Sequence, residues 1–175
     1  MERYFNITGG CNPVNHYMVN LDSRLSQIKK MVDRGQYFCI NKGRQYGKTT
    51  TLSALENYLK DDYVVLSMDF QLQMSSAKFV TEQAFVKGFA EAFVETISFT
   101  SESELCSADD FKGINDMVGL FRKLSFICGK SRLPIVMFID EVDQASNNQV
   151  FLDFLAQLRG YYLNRDETST FQSVI

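Results

Sequence analysis

Gly47-Lys48-Thr49-Thr50 places an ammonium and two hydroxyls where a loop gives way to a helical pattern. A helix start offers unpaired backbone N–H groups and the positive end of the helix dipole, so a cation and a hydroxyl added there make a place for phosphate. The residues before it, Lys42-Gly43-Arg44-Gln45-Tyr46, follow the apolar run Tyr37-Phe38-Cys39-Ile40-Asn41. Strand, short loop, Gly-Lys-Thr and helix is the order that builds a phosphate cradle. In that reading Lys48 reaches the β- and γ-phosphates and Thr49 offers its hydroxyl to Mg²⁺. The loop residues Gly43, Arg44, Gln45, Tyr46 and Gly47, with Thr50, line the same cradle. The alternative is a chance Gly-Lys helix start with a solvated lysine.

Far downstream, Ile135-Val136-Met137-Phe138-Ile139 runs into Asp140-Glu141. A carboxylate at the end of an apolar strand emerges at the edge where open α/β sheets bind ligands. Asp140 is therefore expected to orient Mg²⁺, and Glu141 to act as base or polariser for an attacking water. A helix-capping acidic turn is the competing explanation. Asp143 and Gln144 are equally well explained as site residues or as a solvated turn. The common phosphate-loop pattern wants a glycine where this chain has Lys42, with Gly43 one residue late. Arg44 can touch phosphate or sit at the surface. Asn41-Lys42-Gly43 resembles part of a guanine-reading pattern, but Arg44 stands where an aspartate is needed, so guanine specificity has no support. Arg159 and Arg165 are arginine-finger candidates that ordinary surface charge explains as well.

Composition removes other chemistries. His16 is the only histidine, so neither a histidine metal cluster nor a Ser-His-Asp triad can be assembled around a partner. A structural role suits His16 better than catalysis. Cys11, Cys39, Cys106 and Cys128 form no CxxC pair; Cys39 and Cys128 lie in apolar patterns and are expected to be small buried hydrophobes rather than disulfide or zinc ligands. A net charge of −3 gives no general signature for nucleic acid. No apolar run reaches membrane-spanning length and no signal-peptide pattern follows Met1, so a cytoplasmic protein is expected.

The elements that must position these groups alternate. Helices are predicted from Asp22 or Ser23 to Asp33, from Lys48 to Leu59, from Ser76 to Ser98, over Ile114–Cys128 and over Gln149–Tyr162, the last with Phe151, Phe154, Leu155 and Leu158 inward. Strands are predicted over Tyr37–Asn41, Tyr63–Met68 and Ile135–Ile139, with another beginning in Thr168–Ile175. Phe85, Phe89, Phe93 and Ile97 fall at intervals of four and read as a core stripe. Such alternation predicts an α/β domain with a parallel sheet between helical layers.

With both motifs in place, the chain resembles bacterial AAA-like ATPases of the P-loop superfamily, in the branch with an additional catalytic glutamate. The resemblance is carried by Arg3–Thr8, Cys11-Asn12-Pro13, His16–Val19, Met31–Phe38, Gly43–Thr50 and Phe138–Asp143. It implies a three-layer P-loop NTPase fold, with residues 1–35 packing on a core of residues 36–175, and ATP and Mg²⁺ as ligands. It implies hydrolysis of ATP, catalysed through Lys48 and Glu141. It also implies that the strand from Thr168 lies between the Tyr37–Asn41 and Asp140 strands. Relatives continue past this point, so the chain is expected to be the N-terminal part of a larger protein, with its C-terminal domains, and possible further copies of itself, as partners. Tyr17, Met18 and Val19 become candidates for the base pocket. The alternative function is a nucleotide-controlled interaction module with little turnover.

Overall fold

The computed structural model describes residues 4, 14–17, 19–41, 47–142 and 147–175. Helix α1 spans Asp22–Asp33 and buries Leu25, Ile28 and Val32. Neither Asp22 nor Ser23 caps it. Leu21 occupies the cap position, and the Asn20 side chain accepts from the Asp22 N–H at 2.8 Å. Gly35, at φ 66°, ends the run and donates to the Val32 carbonyl, as glycine does past a helix terminus. Helix α2 covers Lys48–Leu59, the predicted span.

Strand β1 (Val64–Asp69) and strand β2 (Ile135–Asp140) pair in parallel from Val64↔Ile135 to Asp69↔Asp140. Strand β3 is short, Ser173–Val174, and adds in parallel to β2, giving the order β1-β2-β3. Side chains alternate across the sheet, as the strand period of two requires. Val64, Leu66, Met68, Ile135 and Met137 enter one apolar cluster, and Val65, Val136 and Phe138 another. Helices α4 (Glu82–Ser98), α5 (Met117–Lys130) and α6 (Gln149–Leu163) supply the first cluster; α1 and α2 supply the second. This is an α/β arrangement around a small parallel sheet, compatible with a three-layer fold.

Four expectations are corrected. Residues 37–41 form no strand. Their one backbone bond to the sheet runs from the Phe38 N–H to the Val174 carbonyl at 3.1 Å, because β3 is too short to offer a ladder. Side chains fasten the segment instead. The Tyr37 hydroxyl donates to the Phe171 carbonyl at 3.0 Å, Ser173 to the Gln36 carbonyl, and Arg165 to the Gly35 carbonyl at 2.9 Å. β3 thus has β2 on one side and this segment on the other, the placement expected for it.

The helix predicted from Ser76 is broken. A 3-10 turn covers Ser76–Phe79, and α4 starts only after Thr81, whose side chain accepts the Ala84 N–H at 3.1 Å. Ahead of it a four-residue helix α3, Phe70–Gln73, is capped by Asp69. Lastly, Leu155 is exposed, while Phe151, Phe154 and Leu158 are buried. No helix among the described residues is long and apolar enough to cross a membrane.

The cysteines divide. Cys39 is exposed, which corrects the buried reading, because it sits on the weakly paired segment; Cys106 is buried and Cys128 half-buried. Burial pushes the Cys106 thiol up to about 11 and the Cys128 thiol up to about 12, so at neutral pH neither supplies the reactive thiolate. Cys11 lies outside the described residues. In a brief iodoacetamide pulse on native protein, read by peptide mass spectrometry, Cys39 should label well before Cys106 and Cys128. Labelling of Cys128 at the rate of Cys39 would contradict this packing.

Candidate functional site

Gly47 makes the turn that starts α2. It takes φ 72° and ψ 34° at the cap position, a left-handed conformation that costs a side-chain-bearing residue roughly 1–2 kcal/mol. Thr51 holds the turn closed. Its hydroxyl and its N–H both donate to the Gly47 carbonyl, at 2.8 and 2.9 Å, and its side chain is only 1% exposed. Lys48 leaves the first residue of α2, and its Nζ lies 3.9 Å from Asp140 Oδ1. Thr49 beside it is exposed and Thr50 half-buried.

Asp140 is the last residue of β2 and pairs in register with Asp69, the last of β1. The two carboxylates do different work. Asp69 accepts the N–H groups of Gln71 and Leu72 at 2.9 and 3.0 Å, so its charge sits on the positive end of a short helix. Asp140 Oδ1 accepts the Glu141 N–H at 2.9 Å and also faces Lys48. As a stability term the Lys48–Asp140 pair is minor, since the side chains are 28% and 17% exposed and half-solvated pairs contribute little. Its significance is positional. It joins the start of α2 to the end of β2.

Glu141 has φ 56°, the only positive φ at a non-glycine among the described residues. Such a conformation costs on the order of 1–3 kcal/mol and persists only where neighbours enforce it. Here the Asp140 carboxylate accepts the Glu141 N–H just past the end of β2. Glu141 is half-buried beside the carboxylate that precedes it.

The remaining candidates are less tied to this point. Lys42, Gly43, Arg44, Gln45, Tyr46, Met18, Asp143 and Gln144 lie outside the described residues. Tyr17 and Val19 are exposed. His16 bridges to Tyr4, with ring centroids 4.8 Å apart in an edge-on pair. Arg159 is exposed, whereas the Arg165 guanidinium lies 4.5 Å from the Tyr162 ring centroid while bonded to Gly35. Sequence reasoning passed over Thr51 and Asp69. A threonine four residues after a glycine at a helix start was the available signal for Thr51; Asp69 offered only its place at the end of an apolar run.

The donor chemistry suits a hard cation. Asp140 and Thr49 offer carboxylate and hydroxyl oxygens, and no group of three or more His, Cys, Asp or Glu side chains gathers among the described residues. Mg²⁺ is commonly held this way, by one or two carboxylates together with the phosphates of its substrate and water.

The chain matches no protein-family model and no curated protein.

Proposed function

We propose that this chain binds ATP at the Lys48–Asp140 site and hydrolyses it with Mg²⁺, as the nucleotide-binding part of an AAA-like ATPase. The observation that carries the reading is the 3.9 Å approach of Lys48 Nζ to Asp140 Oδ1, which supports a shared role for two motifs distant in sequence. In this reading Lys48 binds the β- and γ-phosphates, and Gly43 to Thr50 wrap them with backbone N–H groups. Thr49 and Asp140 are the metal-holding residues, and Glu141 takes up the proton of the attacking water or orients it. Bound Mg²⁺ would supply neutralisation of charge on the β- and γ-phosphate oxygens.

A second reading, a nucleotide-controlled module with little turnover, is favoured by Lys42 standing where the common loop has glycine. Both readings require nucleotide binding, so binding is tested first. Titration calorimetry with a non-hydrolysable ATP analogue and Mg²⁺ should show saturable binding. Lys48→Ala should weaken it about ten- to a hundredfold, the worth of one charge-assisted phosphate contact. Equal affinity in the two proteins would sink the assignment of Lys48.

A further inference from the structure

We infer that the Lys48–Asp140 contact is an autoinhibitory ion pair that sets the site against ATP lacking a metal ion. The inference rests on the ATP-binding reading above and names its regulation. Asp140 is the carboxylate that Lys48 pairs with among the described residues, and Lys48 is the cation that Asp140 pairs with. One backbone bond, from Glu141 at 2.9 Å, fixes the carboxylate oxygen that faces the lysine. The strand register fixes Asp140 further, because β2 is paired along its length with β1. The carboxylate is thus part of the frame, while the Lys48 ammonium sits at the end of a four-carbon stem with several rotatable bonds.

For Lys48 to reach a phosphate it must leave Asp140. The carboxylate then faces an incoming triphosphate with no counter-charge. At 17% exposure water screens that repulsion incompletely, and like charges a few ångströms apart near a protein surface repel measurably. A nucleotide that arrives with a divalent cation brings the missing charge with it. The negative charge of Asp140 therefore penalises metal-free nucleotide, and Lys48 is the charge that balances it. Thr49 and the backbone N–H groups carry no such bias.

Asp140→Asn tests this, because the carboxamide keeps the size and an oxygen to accept the Glu141 N–H while removing the charge. Affinity for the non-hydrolysable ATP analogue is measured by titration calorimetry in excess EDTA and again in Mg²⁺. In EDTA, Asp140→Asn should bind about tenfold more tightly than wild type, as loss of one nearby like charge predicts, and its gain on adding Mg²⁺ should shrink. Asp69→Asn, one strand away and without contact to Lys48, should leave the EDTA affinity unchanged. Asp140→Ser, smaller but still able to accept from Glu141, carries the same expectation if the asparagine variant fails to fold. Wild type that binds in Mg²⁺, beside charge-removed variants no tighter in EDTA, would overturn the ion-pair inference and leave the ATP-binding reading standing. Absence of binding by folded wild type in either condition would overturn both.

Discussion

Glu141→Gln is expected to lower ATP turnover by about 10²–10⁴-fold, the usual worth of a positioned general base, with nucleotide affinity held within a few-fold. The substitution isolates proton chemistry. Glutamine matches glutamate in size, keeps the backbone N–H that Asp140 accepts at 2.9 Å, and is no more at ease than glutamate at φ 56°. What it loses is the ability to take a proton from water. Single-turnover hydrolysis of radiolabelled ATP, beside calorimetric binding, reads both quantities. Turnover unchanged in the variant would remove Glu141 from the mechanism. Tight binding by wild type with hydrolysis at the uncatalysed rate would instead select the switch reading, in which Glu141 senses nucleotide without consuming it.

Phe154→Ala should destabilise the fold by about 3–5 kcal/mol, the range for truncating a buried phenylalanine. Phe154 is fully buried at the centre of an aromatic cluster. Its ring centroid lies 4.9 Å from that of Phe89, 5.2 Å from Phe85, 5.4 Å from Phe121 and 6.2 Å from Phe151. Those rings come from α4, α5 and α6, so one truncation opens a cavity where three helices meet. Domains have only about 5–15 kcal/mol to lose, and the variant should unfold at a far lower urea concentration. Phe126, 53% exposed on α5, is the control, and its alanine variant should shift stability by less than about 1 kcal/mol. A loss below about 1.5 kcal/mol at Phe154 would mean that the helices do not pack as described.

Periodicity carried most of the architecture. Phe85, Phe89, Phe93 and Ile97 lie inward as their spacing predicts, and every one is fully buried. Lys48–Leu59 forms a helix over the predicted residues because the signals at its start are local, a glycine able to take positive φ followed by a leucine stripe. Strand pairing was harder to read. Tyr37–Asn41 has strand composition, but strand character depends on a neighbour, and the neighbour is a two-residue strand from the other end of the chain. Thr168 looked like the start of that strand, yet its N–H still bonds to the Asn164 carbonyl at 3.0 Å, so the turn after α6 takes up the residues before Ser173. The helix predicted through Ser76–Val80 failed because Thr81 caps α4 more effectively than the preceding pattern extends it. At the site, residue types indicated Lys48 and Asp140, while their separation depended on the sheet. The backbone of Glu141 left no trace in sequence, since glutamate gives no sign of positive φ. The phosphate-loop assignments from Gly43 to Tyr46 lie outside the described residues.

The fastening of residues 35–38 by residues 165–174 also dictates an order of events during synthesis. Tyr37 bonds to Phe171 across 134 positions, Gln36 to Ser173 across 137, and Val32 to Gln172 across 140. Lys48 is made early and Asp140 much later, and residues 35–37 meet their partners later still. Closing so long a loop costs about 4 kcal/mol from its length dependence alone. A nascent chain gains that return only after the aromatic helices have emerged and packed. While still on the ribosome, the chain can bury the phenylalanines of α4, α5 and α6 and pair β1 with β2, yet residues 35–38 stay unfastened. Assembly of the core precedes the fastening of residues 35–38, which waits for residues 165–174.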